Sequence, residues 1–166
     1  MSERHPQNNH HALASGHHED AAHYHREASR HFEIGKDYAH AAHLALNAHG
    51  HSLMAIDHGD AALKRYTKAH PEITLPEPSA EVERATATAV PKTLATQHDA
   101  AAAHHQQAGH HLNQAEKHGR DKDYQHAAES LRIAQTHAHQ ALFHSNRAAQ
   151  TYSEHYGRAG PVAEIA

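Results

Sequence analysis

Histidine is the residue in this chain that offers chemistry: 25 of the 166 residues are His, and there is no cysteine. Neutral imidazole binds late first-row metals, exchanges protons near neutral pH and hydrogen-bonds through either ring nitrogen. Scattered at random, 25 histidines would give roughly four pairs at any one spacing. The sequence has none at i,i+4 and a single pair, His40/His43, at i,i+3. At i,i+7 it has eight: 10/17, 11/18, 18/25, 51/58, 98/105, 104/111, 111/118 and 137/144. Seven residues are two helical turns, so each helix carries a column of imidazoles about 10 Å apart. That spacing disfavours chelation by two His one turn apart on one helix. A multi-histidine site must therefore be assembled from different helices.

The helices that would position these columns come as a repeat. DYAHAAHLALNAHGHSLMAIDHGDAALKRY at 37–66 returns as DYQHAAESLRIAQTHAHQALFHSNRAAQTY at 123–152, and the match extends upstream through His18/His104 and His25/His111. A unit of over 50 residues is too long for one helix and reads as helix, turn, helix, occurring twice. The first helix spans about His10 to Ile34, with Ala14, His18, Ala21, His25, Ala28 and Phe32 on its buried stripe. Gly35 to Tyr38 forms a turn with Asp37 as N-cap, and His40, like its equivalent His126, sits where it can bond the turn. The second helix runs from Tyr38 to about Ala69 and stops at Pro71. Residues 70–91 hold four prolines and read as a connector with one short helix at 80–89. The third helix runs from about Lys92 to His118, and the fourth ends near Tyr156. Residues 1–9 and the tail GRAGPVAEIA are expected to be disordered or frayed. The fold expected is all-α: one domain over 1–166, an antiparallel four-helix bundle of tandem hairpins (about 10–69 and 92–157) joined by a Pro-rich connector.

Composition makes the core lean. There are 2 Phe, 2 Met and no Trp, and mean hydropathy is −0.88. Small residues recur every three or four positions through helices two and four, with Tyr38, Tyr66, Tyr124 and Tyr152 at the ends of the seam. Close backbone approach along Ala, or a ligand, has to replace burial of large side chains. No run approaches the roughly 18 apolar residues of a membrane span, and nothing resembles a signal segment, so a cytoplasmic protein is expected. The net charge of −4 and the lack of a Lys/Arg face argue against nucleic acid.

In a hairpin, seven residues forward on one helix face seven residues back on its neighbour. This sets His25 against His51, His18 against His58, His111 against His137 and His104 against His144. Packed about a pseudo-twofold axis, the hairpins would form two four-histidine layers, His25/His51/His111/His137 and His18/His58/His104/His144. Each layer would suit a transition-metal ion such as Zn²⁺, Ni²⁺ or copper. Against this stands a solvated histidine face with no ligand. The other histidines, including His17, His23, His31, His43, His49, His105, His110 and His139, are expected mostly to face outward. A di-iron centre would need Glu-x-x-His on two helices, and none occurs; no hydrolytic nucleophile motif or phosphate loop occurs either, so no enzymatic activity is expected.

The string FEIGKDYAHAA resembles the inter-helix turn of tetratricopeptide hairpins, where a Tyr packs beneath the preceding helix; the 34-residue period of that family is absent. As a whole, with HREASRHFEIGKDYAHAAHLALNAHGH and its doubled unit, the chain resembles uncharacterised His- and Ala-rich helical-hairpin proteins of bacteria. That resemblance implies a bacterial protein and no particular chemistry. The function expected is binding of transition-metal ions for buffering or sequestration, in a monomer or homodimer. The alternative is a helical assembly module with a pH-sensitive, histidine-rich surface.

Overall fold

The computed structural model describes residues 7–75 and 92–156, all helical apart from turns. Four helices follow in order: α1 (Gln7–Ile34), α2 (Tyr38–Ala69), α3 (Leu94–Arg120) and α4 (Tyr124–Tyr156). The first starts earlier than its sequence pattern suggests, since Gln7–Asn9 are helical. The expected helix at 80–89, most of the Pro-rich connector and the tail lie outside the described residues. Among the described residues no helix is long and apolar enough to cross a membrane.

The helices pack as a bundle. α1 lies against α2 and α3, and α4 lies against α3 and more sparsely against α2. An alanine heptad runs down every helix: Ala14/21/28, Ala41/48/55/62, Ala101/108/115 and Ala127/134/141/148. Every one of these is 3% exposed or less. Methyl-sized contacts at each second turn let backbones approach closely, which is how a chain poor in large apolar residues excludes water. Leu112 and Leu131 fill the space that alanine leaves near one end. Ile56 does the same near the α2–α4 seam.

Local chemistry sets the turns. Gly35 has φ 70°, a conformation that side chains disfavour. Asp37 caps α2 by accepting from the His40 amide at 3.1 Å, as its position suggests. The Tyr38 ring lies 6.1 Å from that of Phe32, so it does pack beneath the preceding helix. In the second turn Asp123 accepts from the His126 amide and also pairs with the His126 ring at 2.7 Å. This bond raises the His126 pKa and holds the Asp123 carboxyl below its usual range. α3 is capped by Thr93 and Thr96 reciprocally. Tyrosines gather at both ends: Tyr38 with Tyr156 at 4.7 Å, and Tyr66 with Tyr124 at 6.4 Å.

Candidate functional site

The histidine columns meet as three ladders, in each of which hydrogen-bonded rungs alternate with stacked rings. Between α1 and α2, His10 pairs with His58 (Nδ1 to Nδ1, 3.2 Å) and His17 with His51 (3.1 Å), while His17 stacks on His58. Between α1 and α3, His18 pairs with His105 (2.9 Å) and His25 with His98 (3.0 Å), while His25 stacks on His105. Between α3 and α4, His104 pairs with His137 (3.0 Å), His104 stacks on His144 and His111 stacks on His137. Six of the eight heptad pairs in the sequence form the rails of these ladders.

Two neutral imidazoles bonded through their Nδ1 atoms must be opposite tautomers, and the neighbours decide which is which. Ser52 donates its hydroxyl hydrogen to the Ala48 carbonyl at 2.8 Å, so its oxygen can only accept from His105 Nε2–H at 2.7 Å. His105 therefore has a bare Nδ1, and His18 donates Nδ1–H to it. His25 Nε2 is buried without a partner. A bare lone pair is less costly there than an orphaned N–H, so His25 is the donor to His98. The rungs of the α1–α3 ladder thus hold one proton each, and its four rings are neutral.

Burial sets the electrostatics. His98 and His104 are held down to about 4, first by desolvation, and in His104 then by His137 and His144. His18 is also brought to about 4 by burial and by His17. Burial places His25 and His105 well below the ordinary imidazole value, with neighbouring histidines adding to it. In the α1–α2 ladder the balance differs. His17 is lowered by partial burial, His51 and His58, but Asp20 pulls it upward. Asp20 places Oδ2 3.5 Å from His51 Nδ1.

Among the described residues, one trio of candidate metal ligands has its donor atoms mutually within 4.8 Å: His17, Asp20 and His51. A tetrahedral ion with nitrogen ligands at about 2.0–2.1 Å holds those nitrogens about 3.3 Å apart. The His17–His51 separation of 3.1 Å needs only a small opening to match.

The two expected four-histidine layers do not converge. His51 and His58 face α1 through His17 and His10, His18 and His25 face α3, and His104, His111, His137 and His144 form a ladder of their own. Across α3 and α4 the expected facing pairs, 111/137 and 104/144, are in ring contact. Across α1 and α2 the contact has moved by one residue, from His18 to His17 against His58 and from His25 to Tyr24 against His51. That shift is a 100° step around α1, and it turns His18 and His25 toward α3. His105, expected outside, is fully buried, and His98 is 2% exposed. The pairs 10/17 and 98/105 were visible in the heptad count. The repeat concealed the second of them, because the counterparts of His98 and His105 are Ala12 and Glu19.

The sparse α2–α4 seam leaves a cavity of about 330 Å³, lined mainly by apolar residues with His49, His98, Ser145 and Asn146. The chain matches no protein-family model, no curated protein and no solved structure.

Proposed function

We propose that this protein is a bundle of two tandem antiparallel hairpins that binds a late first-row transition-metal ion, Zn²⁺, Ni²⁺ or Cu²⁺, for buffering or sequestration rather than catalysis. The observation that carries the reading is the half-exposed trio His17, Asp20 and His51. Two imidazole nitrogens and one carboxylate form a three-ligand set with positions left for water, a donor set that suits these ions. The carboxylate offsets part of the ion's charge, and the exposure of Asp20 gives the ion a route in. Among the described residues, the buried rungs have no carboxylate within ligand distance. A divalent ion there would be an uncompensated charge in an apolar core, which is costly.

Binding both Nδ1 atoms displaces the proton shared by His17 and His51. That proton moves to an Nε2 or to solvent, and affinity falls in acid, where protons compete with the ion for the ring nitrogens. Calorimetric titration of the metal-free protein with Zn²⁺ tests the reading. One ion per chain is expected, with affinity lowered at least about tenfold by His51→Ala or Asp20→Asn. Saturation that ignores both substitutions would place the metal elsewhere.

A further inference from the structure

We propose that acid opens this bundle along α3, because α3 is the one helix that supplies a rail to both buried ladders. His98 and His105 meet His25 and His18 of α1, while His104 and His111 meet His137 and His144 of α4. A rung whose nitrogens lie 2.9–3.0 Å apart holds one proton, carried by one Nδ1 and accepted by the bare Nδ1 opposite. A further proton on the accepting ring sets two N–H groups against each other and puts a cation in a buried site where, among the described residues, no carboxylate is within contact distance of the rung. The rung then has no hydrogen bond to keep, and the rings must separate or reach water.

The rungs that decide the opening are His25–His98 and His104–His137. His98 faces His25 and Phe32 of α1 and shares a cavity wall with His49 of α2 and Tyr152 of α4. His104 faces His137 and His144 of α4. His105 faces His18 and His25 of α1 and Ser52 of α2. The charged groups near α3 do little to hold a proton there. Asp99, exposed on α3 itself, favours one on His98. Glu19 and Arg26 of α1, of opposite sign, border the groove that His105 also lines. By contrast, α2 supplies histidine rails only to the half-exposed ladder, where the Asp20 carboxylate lies 3.5 Å from His51 Nδ1. It touches the buried ladder through the neutral Ser52 hydroxyl.

The sign follows from burial. The imidazoles of His25, His98, His104 and His105 titrate near 6.5 when unfolded and lower when packed, at about 4 for His98 and His104. Their stabilisation is complete above pH 6.5 and drains away as pH falls toward about 4. α1 keeps its ladder to α2, so α3 is the element that loosens first.

Hydrogen exchange followed by mass spectrometry tests this on the chelator-treated full chain at pH 7.5, 6, 5 and 4.5, corrected for intrinsic exchange. Protection of α3 should fall at least about tenfold between pH 7.5 and 5 while that of α2 holds. Equal loss in α2 and α3, or full protection of α3 at pH 4.5, would overturn the proposal. The double substitution His25→Leu with His98→Leu removes one buried rung at similar volume and should move the α3 transition to lower pH. If that chain does not fold, His104→Leu with His137→Leu carries the same expectation. His10→Ala, in the exposed ladder, should leave the transition in place; a shift as large as that of the buried rungs would also overturn it.

Discussion

The α1–α2 and α1–α3 ladders are built from the same parts and have opposite chemistry. Each has four histidines, two Nδ1 rungs about 3 Å long and a stacked pair between the rungs. One lies at a half-exposed edge with Asp20 beside it. The other is sealed between two alanine-rich helices, with Ser52 setting its tautomers. What an imidazole pair can do therefore depends on access to water and a carboxylate more than on pair geometry. On the proposed reading the open ladder would exchange its proton for a metal ion; the closed one can only keep its proton or break.

The largest effect that separates them is the loss of a ring. His25→Ala should cost about 2–4 kcal/mol, through a cavity and a His98 nitrogen left without its donor, whereas His10→Ala should cost well under half of that. Urea unfolding at pH 7.5 measures both, and equal losses would erase the distinction. Acid acts on the same asymmetry: His98, about 4 when folded against 6.5 unfolded, alone accounts for about 3 kcal/mol, present above pH 6.5 and lost on the way down to about 4. The pH dependence of the urea midpoint reads this, and His98→Leu should flatten it.

Zinc should act on the open ladder alone. At a hundredfold excess over its dissociation constant an ion bound only to the folded chain adds about 2.7 kcal/mol, and Asp20→Asn should remove most of that gain in thermal melts. Ser52→Ala should cost about 1–3 kcal/mol, because it strands the His105 Nε2–H in the core. In the nitrogen-detected NMR spectrum, the same change should disturb the His18 and His105 tautomers and leave those of His17 and His51 alone. The smallest effect has the opposite sign. A Cβ at Gly109 would meet only His18 Cβ and Ser15 Oγ, both at 4.0 Å. Gly109→Ala should therefore stabilise by about 0.5–1 kcal/mol through helix propensity, which thermal unfolding detects.

Much of this was legible in the chain. The bounds of α2, the Asp37 cap, the buried alanine spacing and the tyrosines at the bundle ends all follow from local pattern, since a helix buries whatever recurs at its own period. The heptad placement of histidine was legible too, and it proved to be the spacing of ladder rails. Partner choice was not. His17 and His18 are neighbours in sequence, and a single 100° step decides which of them meets α2 and which meets α3. Asp20 carried no sequence signal as a ligand, because its role comes from His51 on another helix.

The sequence by itself determined that four helices would form with histidine columns two turns apart, because period and propensity are local properties. Only the tertiary structure decided which columns face each other, which are sealed and which histidine pair, His17 with His51, gathers with a carboxylate. Those outcomes depend on how each helix is rotated against its neighbours, and that rotation is set by packing summed along the whole alanine seam.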